Sequence, residues 1–146
     1  MRIATFNLES LDLTPGGEET FQRRAAVLRP QLDALQADIL CLQEVNGQHV
    51  TGKKPRELTA LTRLLAETSY DDYDLVATSG NTSGGVADVH NLVILSRRPA
   101  HRSEALRHRL VAPLTYQSVT AEPEAARAMT LQWDRPLLHA IYETES

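Results

Sequence analysis

The chain has 146 residues, of which 42% are apolar and 23% are charged, and its formal net charge at pH 7 is −4. These proportions are typical of a folded domain and exclude the charge-rich, apolar-poor composition of a disordered chain. The length fits about one domain, so we expect a single domain over residues 1–146. The slight acidity gives no overall basic field for nucleic acid, and any phosphate binding has to be local.

The sequence also bears on the cellular compartment. Its single cysteine, Cys41, excludes an intramolecular disulfide framework. The amino-terminal segment MRIATFNLES enters a strand-like pattern directly and lacks a long apolar signal segment. No run approaches the roughly 18 consecutive apolar residues that a membrane span requires. The sequence therefore predicts a cytoplasmic protein without a membrane span.

The chain begins with an alternating segment over residues 2–8, RIATFNL, which predicts a first strand with Ile3 and Phe6 in the core. Glycine and proline predict a loop from residue 10 to residue 19. From Phe21 onward apolar residues recur at spacings of three and four, which predicts an amphipathic helix ending near Gln36. Proline inside this segment is expected to kink the helix.

A run of apolar residues follows, from Ile39 to Leu42, and continues into Gln43 and Glu44. Because polar alternation is missing, the run predicts a central strand that is covered on both faces. A second helix is expected over residues 55–69, because its leucines share one face.

Short strands complete the pattern. They are expected over residues 73–77, over residues 92–97, and in several segments beyond residue 100, where the helical period disappears. This order predicts helices packed on one face of a sheet, in a layered α/β or α+β architecture. The last strand-like segment, LLHAIYETES, has no partner after it, so the domain is expected to be incomplete at this sheet edge.

Glu44 ends the predicted central strand, and a carboxylate in that place has two interpretations. Charged residues are mostly exposed, and strands often end on one where they reach solvent. Alternatively, residues just beyond the carboxyl ends of central strands line the ligand crevice of open sheets. Asn7 has a comparable place at the end of the first strand. A carboxylate beside a carboxamide offers oxygen ligands, which suit Mg²⁺ and do not suit zinc.

Several segments of the chain resemble the endonuclease/exonuclease/phosphatase superfamily of DNase-like, metal-dependent phosphoesterases: IATFNLESL, RRAAVLRPQLDALQADILCLQEV, HNLVILSRRP and DRPLLHAIYE. The resemblance implies the N-terminal part of a four-layer α/β sandwich, with mixed sheets flanked by helices. It also implies that Glu44 binds a divalent metal, usually Mg²⁺ with Mn²⁺ as an alternative, and that Asn7 belongs to the metal site or orients the phosphate.

The later motifs of this superfamily are a Gly-Asp-x-Asn segment, an Asn-x-His strand and a Ser-Asp-His-like segment. None of them follows in the sequence. By the resemblance, the chain is therefore a truncated domain that lacks the water-activating Asp/His pair and is inactive alone.

Further candidates for substrate contact are Arg97, Arg135, His90 and Asn91. Residues 97–109 are rich in arginine and histidine, and this local positive charge could steer a phosphate-bearing substrate, although a solvated strand pair is the preferred explanation. Arg135 is a candidate because it resembles the Arg-Pro position of the superfamily. His90 and Asn91 are interpreted either as cleft residues or as ordinary loop residues.

The sequence thus predicts metal-dependent hydrolysis of phosphate esters, of the phosphodiesterase, nuclease or phosphatase kind, if a C-terminal half completes the site. The substrate class stays open between nucleic acid, a phospholipid head group and a small phosphodiester. One alternative is a non-catalytic binding module whose exposed sheet edge pairs with a complementary chain. The other is a generic α/β protein in which Glu44 is a surface residue.

Overall fold

The computed structural model describes residues 1–13, 16–52, 55–80, 84–106, 113–117, 129–131 and 136–143. Its helices and strands, in chain order, are β1 (Ile3–Leu11), α1 (Gly17–Leu35), β2 (Ile39–Val45), α2 (Thr59–Leu65), β3 (Asp74–Ala77), β4 (Asn91–Ser96), β5 (Arg102–Leu106), β6 (Leu114–Tyr116), β7 (Met129–Leu131) and β8 (Leu137–Ile141).

The main sheet has four strands in the order β1-β2-β4-β3. β1 and β2 are parallel, whereas β4 is antiparallel to both of its neighbours, β2 and β3. The parallel pair is joined by α1, as a parallel connection requires a crossover. The predictions of a mixed α/β architecture and of a central second strand are both confirmed.

One face of the main sheet carries the hydrophobic core. Leu40 and Leu42 of β2 are fully buried there, together with Val93 and Leu95 of the neighbouring β4. The two helices contribute the buried residues Phe21, Ala25, Leu32, Ala60, Leu61, Leu64 and Leu65. This packing holds the backbone of β2 rigid up to the point where the strand ends.

The opposite face of the main sheet is only partly covered. The register between β1 and β2 places Ile3, Ile39 and Cys41 on it, and Ile3 is 59% exposed. The prediction that Ile3 is a core residue is therefore wrong, because the two-residue period of the strand directs the alternate side chain, Phe6, toward the core. The prediction that β2 is covered on both faces is likewise wrong, because its fully buried side chains lie on the core face and those on the other face are only partly buried.

The helix boundaries differ from the predicted ones. α1 begins at Gly17, before the expected end of the loop, and is followed by Gln36 in a left-handed conformation (φ 43°). Pro30 lies inside α1. Glu18 accepts hydrogen bonds of 3.0 and 2.5 Å from Arg63, which joins the amino end of α1 to α2. α2 is shorter than the predicted helix at both ends: it begins at Thr59, and residues 66–73 form turns and bends.

Two small ribbons complete the described structure: β5 pairs with β8, and β6 pairs with β7, both antiparallel. They expose apolar side chains, among them Leu137 (71%) and Leu114 (61%). No helix among the described residues is long and apolar enough to cross a membrane.

Candidate functional site

The candidate site lies at one end of the main sheet, where β1 and β2 end and β4 begins. This end of the strands is called the edge below. In the sheet register Asn7 is opposite Gln43, and Val45 is opposite Asn91. Asn7 lies opposite the residue before Glu44, so Asn7, Glu44 and the residues that precede β4 lie toward the same end of the sheet. The prediction that Asn7 ends the first strand is wrong, because β1 continues past a register shift to Leu11.

The backbone at this edge is strained. Glu9, Ser10, Glu44 and His90 all have left-handed conformations, with φ values of 48°, 55°, 59° and 57°. For residues other than glycine, this region costs about 1–2 kcal/mol each. The pairing register between β2 and β4 shifts between Leu42 and Val45, the segment that contains Glu44. Such bulges redirect side chains, and they are over-represented next to active sites.

Glu44 and His90 face each other across this edge. The Nδ1 atom of His90 lies 4.0 Å from Oε2 of Glu44, and the two side chains are 33% and 25% exposed. His90 Nδ1 is shielded from solvent and has no hydrogen-bond partner among the described residues. The pair thus sets a carboxylate beside an imidazole nitrogen that has no hydrogen-bond partner among the described residues.

Asn7 is exposed, and its register partner in β2 is Gln43, the residue before Glu44. Its Oδ1 atom accepts a hydrogen bond of 2.7 Å from the backbone N–H of Glu9. The Nδ2 group points away from that bond and, within the described parts of the chain, donates to no other residue. Asn7 is therefore better placed to donate a hydrogen bond to a phosphoryl oxygen than to supply its own oxygen to a metal.

Asn91 is fully buried, and its side chain is fully used inside the protein. Oδ1 accepts hydrogen bonds from Thr78 Oγ1 (3.2 Å) and from the backbone N–H of Ala87 (2.8 Å). Nδ2 donates to the carbonyl oxygens of Val45 and Ala87, both at 2.9 Å. Asn91 therefore holds the end of β2 against the loop before β4 and has no polar atom left for a substrate.

Sequence reasoning missed a polar network that underlies the site. Asn46 Nδ2 and Gln48 Nε2 donate to the two carboxylate oxygens of Asp12, each at 3.2 Å. Gln48 Oε1 accepts a hydrogen bond of 2.9 Å from the backbone N–H of Ala60, in the first turn of α2. The strand-end reasoning that selected Glu44 would also have found Asn46, which follows the second strand directly. Asp12 lies in the segment that the sequence predicts as a loop, because the predicted first strand is shorter than β1.

Arg97 lies at the opposite end of the sheet. Its Nε is 3.3 Å from Oδ1 of Asp38, and its guanidinium lies 5.7 Å from the centre of the Tyr73 ring. Asp38 directly precedes β2, whereas Glu44 is at its far end, a separation of about 20 Å along the strand. The structure therefore does not bring Arg97 to Glu44.

Arg97 is instead part of a charged cluster around Asp38. The backbone N–H of Arg2 donates a hydrogen bond of 2.6 Å to Asp38, and this bond, with the nearby amino terminus and Arg97, lowers the pKa of the Asp38 carboxyl. Arg135, the remaining candidate for substrate contact, lies outside the described residues, as do residues 107–109 of the basic segment.

The described side chains at this edge do not form a complete metal site on their own. In the described part of the chain, no three His, Cys, Asp or Glu side chains are grouped as metal ligands. Zinc sites in proteins require three or four such ligands. Mg²⁺ is bound through one or two carboxylates and keeps several waters. Glu44 alone would hold such an ion weakly.

Comparisons with known proteins add little at this level of similarity. No protein-family model matches the chain, and no curated protein matches it. Among solved structures, an endonuclease/exonuclease/phosphatase family protein from Leptotrichia buccalis C-1013-b matches with a TM-score of 0.46 and 20% identity. The match covers 73% of this chain and 42% of that protein. A likeness this low carries no argument about family, site or activity.

Proposed function

We propose that the chain is part of a divalent-metal-dependent phosphoesterase whose site is the sheet edge around Glu44. The observation that carries the proposal is the Glu44–His90 pair: a carboxylate and an unsatisfied imidazole nitrogen 4.0 Å apart, both on left-handed backbone at neighbouring strand ends. Strained residues of this kind cluster at ligand and active sites. The resemblance of the surrounding segments to the superfamily supports the same reaction class.

Each residue has a distinct part in the proposed reaction. Glu44 holds Mg²⁺, or Mn²⁺ in its place, and the ion supplies positive charge to the phosphoryl oxygen. The Nδ2 group of Asn7 donates a hydrogen bond to a non-bridging oxygen, which orients the phosphate. His90 places an imidazole beside the Glu44 carboxylate, with Nδ1 4.0 Å from Oε2. The substrate is a phosphate ester, whether nucleic acid, phospholipid head group or small phosphodiester.

We further propose that residues 1–146 form the N-terminal part of a four-layer sandwich and that a C-terminal half supplies the base that activates water. One feature supports this: the face of the main sheet that carries Ile3 and Cys41 is only partly covered.

Metal binding tests the proposal directly. Titration of Mn²⁺ followed by electron paramagnetic resonance is expected to show weak binding to the chain and at least about tenfold weaker binding to Glu44→Gln, because the variant loses the anionic ligand. Glu104→Gln is the matched control, since Glu104 also lies beside a histidine, with Oε1 3.3 Å from His139 Nδ1, but on a different sheet. Equal affinities for the chain and for Glu44→Gln would refute the proposal.

Asn7→Ala tests the phosphate-orienting role. In a protein that includes the completing half, this variant is expected to lose activity on a phosphodiester and to keep its melting temperature, because Asn7 is exposed and does not pack in the core. A variant that loses stability instead would make Asn7 a structural residue that holds the turn at Glu9.

A non-catalytic binding module remains a second candidate. The observation that favours it is the ribbon of β5 and β8, which exposes Leu137 (71%) and Ile141 (42%) on a two-stranded sheet. Such ribbons are marginally stable alone, and a strand of a complementary chain would extend them. Co-purification of a partner, with no Mn²⁺ binding, would favour this candidate over the phosphoesterase.

A further inference from the structure

Asn46 is hydrogen-bonded to several of the segments that form the site. It is only 8% exposed. Its backbone N–H donates to the carbonyl of Leu11 at 3.0 Å, and its own carbonyl accepts from Gln48 Nε2 at 2.8 Å. Its side chain donates through Nδ2 to Asp12 and accepts, through Oδ1, the backbone N–H of His90 at 3.2 Å. All of its polar groups are therefore bonded within the protein.

The bond to His90 matters because His90 stands on strained backbone. Its φ of 57° is a conformation that residues other than glycine adopt only when the surroundings impose it. Asn46 follows Glu44 by two positions, so a single side chain connects the end of the strand that carries the carboxylate to the residue that carries the imidazole.

We infer that Asn46 is a positioning residue: by holding the backbone N–H of His90, it keeps His90 in the conformation that sets its imidazole beside the carboxylate of Glu44. Asn46 itself is buried, and its polar groups are bonded within the protein. The inference rests on the proposed function only for what the Glu44–His90 pair does, since the hydrogen bond between Asn46 and the backbone of His90 does not depend on that function.

Asparagine is well suited to this position because the position needs an acceptor and a donor on one short side chain. Oδ1 serves the N–H of His90, and Nδ2 serves the carboxylate of Asp12. Asp12 has no proton to donate when ionised, so it fixes which way the amide of Asn46 is turned. Aspartate at this position would keep the acceptor for His90, whereas alanine would remove both groups.

The test measures the contact between His90 and Glu44 without any metal. In the otherwise unaltered chain, Glu44→Gln is expected to shift the NMR resonances of the His90 ring, because the carboxylate oxygen lies 4.0 Å from Nδ1. In Asn46→Ala, the same Glu44→Gln change is expected to have a smaller effect, because loss of one net hydrogen bond lowers the equilibrium constant for the held position of His90 by about fivefold. An undiminished effect would overturn the inference.

Gln48→Ala is the matched control, because Gln48 is equally buried and belongs to the same network but has no hydrogen bond to His90. The effect of Glu44→Gln on His90 should persist in that background. If Asn46→Ala does not fold, the exchange of Asp12→Asn together with Asn46→Asp provides the test: it retains the acceptor for His90 and keeps one carboxylate facing one amide, so the effect should also persist, and its loss in the folded variant would contradict the inference. Absence of Mn²⁺ binding by the unaltered chain would count against the proposed function alone.

Discussion

Replacing Glu44 by glycine is expected to give a more stable protein than replacing it by alanine, and both changes remove the proposed metal ligand. Glu44 has a φ of 59°, and the left-handed conformation costs a residue with a Cβ atom about 1–2 kcal/mol. Glycine escapes that cost but loses about 0.5–1 kcal/mol more conformational entropy on folding. The net expectation is that Glu44→Gly is more stable than Glu44→Ala by about 0.5–1 kcal/mol. Both variants lack the carboxylate, so their difference isolates the backbone.

Urea denaturation in the presence of a chelator, followed by circular dichroism, measures this difference, and thermal melts should separate the two variants by about 1–4 °C for a chain of this size. Gln43 is the control position, because it precedes Glu44 in β2 and is not left-handed. There the sign should reverse, with Gln43→Gly less stable than Gln43→Ala by about 0.5–1 kcal/mol. If Glu44→Gly were the less stable of its pair, Glu44 would not occupy strained backbone, and the reasoning from strain to function would fail.

Three further outcomes follow from particular contacts. The hydrogen bond from Arg63 lowers the pKa of Glu18 from 4.5 to about 2. The stabilisation that this hydrogen bond provides is thus present above about pH 4.5 and is lost as the pH falls toward 2. Thermal melts across this range should therefore show a smaller decrease in melting temperature for Glu18→Gln than for the unaltered chain. Asn91→Ala should lower the free energy of unfolding in urea by about 2–4 kcal/mol, because it leaves several buried groups unpaired. An unchanged free energy of unfolding would mean that these hydrogen bonds do not stabilise the fold, and Asn91 would again be a candidate for substrate contact. Tyr70→Phe removes the acceptor of the buried N–H of Ala37 and should cost about 1–2 kcal/mol by the same measurement. A Tyr70→Phe protein as stable as the parent would mean that water replaces this bond.

The central strand and its carboxylate could be predicted because both depend on local pattern. The unbroken apolar run before Glu44 indicates that the strand is buried, and Glu44 then follows at its end. Asn7 is selected by the same strand-end reasoning, although β1 continues beyond it to Leu11. Ile3 was mispredicted because a short alternating segment fixes two faces without saying which one meets the helices. The helices cover the face that carries Leu40, and Ile3 lies on the other.

The partners of each polar residue could not be predicted, because they depend on how the strands pair. Arg97 and His90 flank the same strand, β4, and the sequence made both candidates for one site. The antiparallel pairing of β4 with β2 separates them: His90 reaches Glu44, and Arg97 reaches Asp38 at the other end. The left-handed backbone at Glu44 also has no sequence signal, since such positions are usually marked by glycine or asparagine.

The strain at the site bears on whether Glu44 is an ordinary surface residue. A strand that merely ends in solvent has no reason to place a glutamate on left-handed backbone, because glycine or asparagine would occupy the same turn at lower cost. Here Glu9, Ser10, Glu44 and His90 together carry such conformations at one edge. At about 1–2 kcal/mol each, their combined cost approaches the 5–15 kcal/mol that a whole domain typically has in reserve. The buried hydrogen bonds of Asn46 offset part of this cost. An arrangement that is expensive for the fold, and that sets a carboxylate against an unsatisfied imidazole, is more readily explained by a ligand than by the needs of folding.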